Sequence, residues 1–447
     1  MSSGFSRKKQ VPKAEKWFWG AALLYTLAHF GYSIVAYNPI TNSVSANDVR
    51  VTFLEAQHWR QTGDLILLGG TNVFYGLLYY GFLSLFSASS FDQILLPFYL
   101  SQFVLFPLAI ACLVQAVAGK TVGWKETLLV VVLTLNFGPF LESFASCKVE
   151  CLEFYLICLA FYGFLKGQNW LAGFGVVSGM LMKYLPGFLG IYFLLKRKWK
   201  TVLWCLVWGL ILSGTLWEVF GGRIFRQIGI DHFWALVFSR KVETNELVAL
   251  LEWQTLSGTI NRLFAHIESP RTWNLVLKMA GTAPIDHARL VTGLALGFKL
   301  LFTGIYLSVI GRRWPPLDPK TRRVLYALEM SLTLLMIVVL LQAVRIHYAV
   351  ILLPAFLTVA LLLFQYRRFF GRAEKVLFFS AYALSAVLIP GGLLNRLPPS
   401  PVWGQSHARM YYWLSLPFYG YVLLFFCVAL CHRKLRRRPD LIPEDSR

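Results

Sequence analysis

The chain has 447 residues, of which 57% are hydrophobic and only 15% are charged, and its mean hydropathy is +0.56. A soluble chain of this length is expected to carry about 25% charged residues, whereas the apolar residues here fall in repeated runs of about 16 to 26, the length of a membrane-spanning helix. This excludes a soluble enzyme, a disulfide-stapled secreted domain and a disordered chain. A net charge of +21 would indicate a nucleic-acid partner in a soluble protein, but in a membrane protein it first indicates the positive-inside rule.

The basic residues are clustered directly beside long apolar runs. The segment before Trp17 is basic, and four further clusters occupy residues 196–200, 312–323, 367–375 and 432–438. With a cytoplasmic N-terminus, all of them fall on the cytoplasmic side if the chain forms about twelve spans. The predicted spans are 17–37, 73–88, 94–118, 127–141, 151–166, 170–195, 201–220, 289–311, 324–341, 348–366, 376–394 and 411–431.

The region between residues 119 and 195 allows two topologies. The twelve-span count leaves Lys120, Lys125 and Lys166 outside, whereas two re-entrant pairs would reverse these loops and keep the later orientation. Irregular backbone at membrane depth is tolerated only beside protein or a water-filled cavity, so both versions predict an internal polar cavity. The predicted fold is an all-α polytopic transmembrane helix bundle, a single membrane domain over 1–447 that ends in a cytoplasmic tail at 432–447.

Two polar segments are too hydrophilic to span, and both are predicted on the extracytoplasmic side. The first covers residues 38–72. Its middle, residues 48–62, has the pattern of an interfacial helix that ends before Gly63 and carries Val51, Leu54 and His58 on one face. The second segment covers residues 221–288 and mixes charges of both signs with apolar residues.

Ionisable side chains near a membrane are costly, so each is a candidate for function. Each also has a structural alternative. Asp48 stands where it would cap a helix, Arg262 could meet lipid phosphates, and Lys183 could extend to the surface. Arg345 and His347 lie in a small polar island and could be rim residues.

The seven Cys residues lie mostly inside apolar runs without an accompanying His cluster. They are predicted to be buried free thiols. The sequence carries no nucleotide-binding glycine motif and no zinc signature, so no metal ligands are assigned.

Four segments in order resemble the GT-C membrane glycosyltransferases, most closely glycosyltransferase family 87, the polyprenyl-phosphate-mannose-dependent mannosyltransferases. They are ANDVRVTFLEAQHWRQTGDLILLGGTNVFY, GFGVVSGMLMKYLPGFLGIYFLLKRKWK, LEWQTLSGTINRLF and RIHYAVILLP. Two departures stand out. NVFYGLLYYGF lacks the proline that often opens the family's second span, and Cys147-Lys148-Val149-Glu150 replaces its usual Gly-Gln-x-Asn.

The resemblance implies a GT-C bundle with interfacial helices in its outer loops. It also implies inverting transfer of a sugar, expected to be an α-mannosyl group, from a polyprenyl phosphate to a lipid-linked or glycan acceptor on the extracytoplasmic face. A phosphate leaving group needs cations, and the acceptor hydroxyl needs one base. The resemblance places the catalytic carboxylate at Asp48, with Glu55 as second choice. Candidates for phosphate or sugar contacts are Arg262, His347, Arg345, Lys183, Gln254 and Asn261.

A lipid monophosphate carries less charge than a nucleotide diphosphate, so a metal-independent reaction without a cofactor is expected. The expected partners are the polyprenyl-phosphate sugar, a glycan or glycolipid acceptor and membrane lipids, but not nucleic acid. The expected location is a bacterial inner membrane, with the site facing outside. A transporter or lipid flippase is an alternative, although no internal duplication of the kind common in transporters is found. A glycan polymerase or ligase is a second alternative.

Overall fold

The computed structural model describes residues 13–36, 47–64, 75–119, 122–231, 255–264, 288–312, 314, 317–341, 346–367, 370–386 and 415–437. At residues 13–16, 36, 47–48, 229, 231, 261–264, 288–291 and 346–347, only the backbone is described.

The described residues form helices and no strands, which confirms the predicted all-α class. The α-helices are α1 (Lys13–Ala36), α2 (Asn47–Thr62), α3 (Leu77–Ser84), α4 (Phe91–Ala118), α5 (Trp124–Leu135), α6 (Gly138–Ala145), α7 (Glu150–Leu165), α8 (Asn169–Lys183), α9 (Gly187–Leu195), α10 (Trp199–Ile224), α11 (Leu256–Phe264), α12 (Ala288–Ile310), α13 (Pro319–Leu340), α14 (Leu353–Gln365), α15 (Arg372–Ala386) and α16 (Leu416–Arg437). A π-helical turn, Phe225–Asp231, continues α10, and a 3-10 helix, Ile346–Leu352, leads into α14.

Seven described helices are long and apolar enough to cross a membrane, or eight if the bent pair α5–α6 counts as one span. The α5–α6 pair bends by 70°, where Pro139 stands at the start of α6, a position at which proline is tolerated because its missing N–H has no helical partner. These helices indicate an integral membrane protein, while the twelve-span count is not confirmed.

The predicted cytoplasmic clusters meet at one end of the bundle, which we call the basic end. Lys196, which follows α9, lies 3.0 Å from the carboxylate of Glu329 in α13, and His432 of α16 lies 3.3 Å from the same oxygen. Lys434 of α16 pairs with Glu374 of α15 at 3.1 Å. Residues of three clusters therefore adjoin one another, as the positive-inside rule requires of clusters on one side.

The turn after α4 lies at the basic end as well. A Cβ atom added to Gly119 would come within 2.7 Å of the Arg323 guanidinium, so this turn adjoins the 312–323 cluster. Lys125 lies in the first turn of α5 shortly afterwards, whereas Lys120 lies outside the described residues. The twelve-span count put Lys125 on the opposite side, and the structure corrects this.

The predicted span 170–195 is a helical hairpin. The Asn169 side chain at the start of α8 accepts a hydrogen bond from Thr201 of α10 at 2.7 Å, which places the start of α8 and the preceding Lys166 at the basic end. The chain reverses at Tyr184, whose φ is 61°, and α9 then returns to the basic end. Lys166, which the twelve-span count left outside and the re-entrant alternative did not, therefore lies at the basic end.

The predicted span 73–88 holds only α3, which has eight residues and is therefore about 12 Å long. The Gly76 N–H, just before α3, donates to the Met182 carbonyl at 2.6 Å. The predicted span 73–88 is thus too short to cross the membrane, while the predicted span 170–195 divides into two helices. The number of crossings before α10 therefore stays the same, so the later helices keep their predicted orientation.

The helix predicted in the first polar segment is present as α2, and Gly63 ends it with a φ of 77°. Phe53 and Glu55 are fully buried against the bundle, whereas Leu54 is 39% exposed. The face of Val51, Leu54 and His58 is therefore not the one that packs.

Helical structure extends into two segments that were predicted as a loop and a tail. The predicted start of the second outer loop at residue 221 coincides with a break in α10 at Gly221, whose φ is 76°. A short helical stretch then continues to Asp231, and α11 forms later within the segment. The C-terminal tail was predicted from residue 432, but α16 continues to Arg437.

Candidate active site

A buried ion pair lies where α7 and α8 meet, away from the basic end. The Lys183 ammonium at the end of α8 contacts the carboxylate of Glu150, the first residue of α7, and each side chain is 1% exposed. Both helices have their other ends at the basic end, so the pair lies at the opposite end, which we call the distal end.

Close packing of α7 on α8 brings these two side chains together. A Cβ atom added to Gly175 would lie 2.6 Å from the Leu156 carbonyl oxygen, so only glycine allows this approach. Small residues permit such contacts between membrane helices. The predicted glycine-rich run therefore places Lys183 within reach of Glu150.

Two aromatic rings enclose the Lys183 ammonium. The Tyr348 ring, in the 3-10 helix, has its centroid 3.5 Å from Nζ, and the Tyr75 ring, just before α3, has its centroid 5.0 Å away. Both distances fall within the range of cation–π attraction. Glu153, one turn along α7 from Glu150, is fully buried, and its two carboxyl oxygens have no hydrogen-bond partner in the described part of the chain.

A second buried contact joins α2 to α3. The Tyr80 hydroxyl donates to the Glu55 carboxylate at 2.9 Å, and both side chains are fully buried. Because α3 is also bonded to α8 through Gly76 and Met182, α2, α3, α8, α7 and the 3-10 helix form a continuous set of contacts at the distal end.

The predicted site residues divide into three groups. Glu55 and Lys183 have described side chains, and both are buried in this set of contacts. Asp48, the second residue of α2, and His347, the second residue of the 3-10 helix, are described by their backbones only. Their helices both belong to the set, so the structure brings the two chain segments into one region.

Two of the remaining predicted residues lie on α11. Asn261 and Arg262 are described by their backbones only, and α11 packs against α12 and α13. The 3-10 helix also contacts α13, so α13 is shared by the segments that carry Arg262 and His347. Gln254 and Arg345 lie outside the described residues.

The sequence prediction missed several residues of the site, namely Glu150, Tyr75, Tyr80 and Tyr348. Glu150 was noticed only as a departure from the family pattern. A signal for Glu150 was present, because this carboxylate begins the largely apolar run ECLEFYLICL, and ionisable residues within such runs are candidates for function.

An apolar cavity of about 370 Å³ adjoins the start of α2. Val49, next to Asp48 in sequence, lines it together with aromatic residues after α3 and at the start of α4, among them Phe86 and Phe91. The lining is suited to a hydrocarbon group. Within the described ranges, no group of three or more His, Cys, Asp or Glu side chains is arranged to hold a metal ion.

The basic clusters thus lie at one end of the bundle, and the buried pair of Lys183 and Glu150 lies at the other. The sequence profile of glycosyltransferase family 87 matches residues 74–341, more than half of the chain. The chain therefore belongs to glycosyltransferase family 87 and is a glycosyltransferase with a sugar donor and an acceptor. No curated protein matches the chain. The matched residues include Glu150 and Lys183, whereas Asp48 and His347 lie outside them.

Proposed function

We propose that this protein is an inverting hexosyltransferase that moves a sugar from a polyprenyl phosphate to a lipid-linked or glycan acceptor. The proposed sugar is mannose. The observation that carries the proposal is the position of α2 and the 3-10 helix, which bear Asp48 and His347, at the end opposite the basic clusters. If the basic end is cytoplasmic, this site faces outside.

In this mechanism the Asp48 carboxylate accepts the proton of the acceptor hydroxyl as its oxygen attacks the anomeric carbon. The bond from that carbon to the phosphate oxygen breaks, and polyprenyl phosphate leaves. A single displacement inverts the anomeric centre, so a β-linked donor gives an α-linked product. The apolar cavity beside Val49 supports a lipid-linked substrate near Asp48.

The leaving phosphate carries negative charge and needs donors around it. Arg262 and His347 are assigned this role, with Arg345 behind them. Gln254 and Asn261 are assigned hydrogen bonds to the sugar. The reaction is proposed to need no metal ion, and the enzyme is placed in a bacterial inner membrane.

The test uses the purified full-length protein with a panel of polyprenyl-phosphate sugars, and it measures released polyprenyl phosphate and glycosylated lipid, with and without EDTA. We expect transfer from at least one donor in both conditions. Loss of activity in EDTA that magnesium or manganese restores would contradict metal independence. Failure with every donor, together with uptake of substrate into vesicles, would favour a transporter instead.

The residue test is Asp48→Asn, which removes the base while keeping the size of the side chain. We expect transfer to fall about 100-fold or more, the usual contribution of general base catalysis, with expression and donor binding retained. Asp92→Asn is the matched control, because Asp92 is exposed in the first turn of α4. Near-normal transfer by Asp48→Asn would remove Asp48 from the mechanism and favour a polymerase or ligase that does not use it.

A further inference from the structure

We infer that Lys183 is a positioning residue, held in place by Glu150, which fixes the chain segments of Tyr75 and Tyr348 and does not bind the donor phosphate. This inference rests on the proposed function and deepens it. It assigns a role to Glu150, and it gives Lys183 a different role from the phosphate contact that the sequence suggested.

The surroundings of Lys183 are unfavourable for a phosphate. Its ammonium is buried, bonded to Glu150 and enclosed by two rings. An incoming phosphate would therefore meet the Glu150 carboxylate that already holds this cation, and repulsion between like charges is strong where water is excluded.

The same surroundings suit a positioning role. The ammonium contacts three separate chain segments: the start of α7 through Glu150, the residue before α3 through Tyr75, and the 3-10 helix through Tyr348. His347 directly precedes Tyr348. Lys183 thus fixes the backbone that carries a proposed phosphate contact, and displacement of a catalytic group by about 1 Å can cost about 100-fold in rate.

The test compares the same substitution at two neighbouring positions. Glu150→Gln breaks the ion pair, whereas Glu153→Gln, three residues away on the same helix, leaves it intact. For Glu150→Gln we expect kcat to fall about 10- to 100-fold, with the KM for the polyprenyl-phosphate sugar changed less than about threefold. Glu153→Gln is expected to stay within about threefold of the wild type in both parameters.

A second comparison separates the ring from the hydroxyl. Tyr348→Phe keeps the face over the ammonium and is expected to retain activity, whereas Tyr348→Leu removes the face and is expected to lower kcat. The double variant Lys183→Met/Glu150→Gln removes both charges and leaves neither unpaired, so it is expected to fold and to show the same loss of kcat at unchanged KM.

A rise of about tenfold or more in donor KM for the double variant would overturn the inference, because it would show that Lys183 binds the donor. Equal losses for Glu150→Gln and Glu153→Gln would also overturn it. Wild-type transfer tests the proposed function separately.

Hydrogen exchange tests the inference without a measurement of activity. Glu150→Gln should speed amide exchange in residues 346–352, whereas Glu153→Gln should not. Unchanged exchange in both variants would refute the positioning role.

Discussion

Replacing Tyr80 with phenylalanine removes one hydroxyl and keeps the ring that fills the α2–α3 contact. That hydroxyl donates to the Glu55 carboxylate at 2.9 Å, and both side chains are fully buried. Water therefore cannot replace the lost donor. Loss of a hydrogen bond to a charged group costs about 1.5–3 kcal/mol, so we expect Tyr80→Phe to lower the free energy of unfolding by this amount. The assay is thermal unfolding of the purified protein in detergent.

Tyr99→Phe is the matched control. Tyr99 is 5% exposed in α4, and its hydroxyl has no hydrogen-bond partner among the described residues. The same chemical change should therefore leave stability unchanged or raise it slightly. If Tyr80→Phe and Tyr99→Phe lowered stability equally, the contact between Tyr80 and Glu55 would not be what stabilises the position of α2.

The same contact separates the two candidate bases. Glu55→Gln keeps an oxygen that accepts from Tyr80 but cannot take up a proton from the acceptor. If Glu55 only holds α2 in place, Glu55→Gln should retain transfer within about tenfold, whereas loss of a general base costs about 100-fold or more. A loss as large as that of Asp48→Asn would instead assign the base to Glu55.

Two further predictions concern positions outside the ionisable site. Gly76→Ala should lower stability strongly, because the added Cβ would lie 2.0 Å from the Leu181 carbonyl oxygen. Gly190→Ala should be neutral or stabilising, because its added Cβ has only an ordinary contact at 3.6 Å. Thermal unfolding of both variants checks these predictions. At the start of α13, burial raises the pKa of Asp318, but hydrogen bonds from Thr321 and the first-turn N–H groups outweigh it, so the net pKa lies below its ordinary value. A lowered pKa means that the stabilisation is present above the ordinary pKa of about 3.9 and is lost as pH falls through the folded-state value. The difference in melting temperature between wild type and Asp318→Ala should therefore shrink below about pH 4, and a difference that stays constant down to pH 2 would contradict this.

The bounds of α2 were predictable because local chemistry sets them. Asp48 lies in the first turn, where an acidic residue is favoured by the helix dipole, and Gly63 adopts the positive φ that ends the helix. The buried face was not predictable, because it depends on a partner 25 residues away. Tyr80 is that partner, and it supplies the hydrogen bond that allows Glu55 to be buried.

The hairpin of α8 and α9 shows a different limit of structure prediction from the sequence. The 26 residues from 170 to 195 have the length and apolarity of one tilted span. The reversal at Tyr184 needs a positive φ, which tyrosine rarely adopts. Tertiary contacts, and not the local sequence, therefore determine this turn. Either topology brings the chain back to the basic end, so the position of the Lys196 cluster could not distinguish them.

The ionisable site was predictable in part. Lys183 was identifiable because a cation within an apolar run is costly. Its partner Glu150 lies 33 residues away, and only the antiparallel packing of α7 and α8 brings the two together. The distinction between Lys183 as a ligand and as a positioning residue depends on that partner.

Charge therefore has different consequences at the two ends of the bundle. At the basic end, cations are in excess, and one of them, Lys196, also stabilises the packing of helices through Glu329 and the Ile310 carbonyl. At the distal end, the described buried side chains include more carboxyls than cations, with Lys183 engaged by Glu150. A phosphate bound at the distal end must then be neutralised by cations outside that buried cluster. This requirement favours Arg262 of α11 over Lys183 as the proposed group that meets the leaving phosphate.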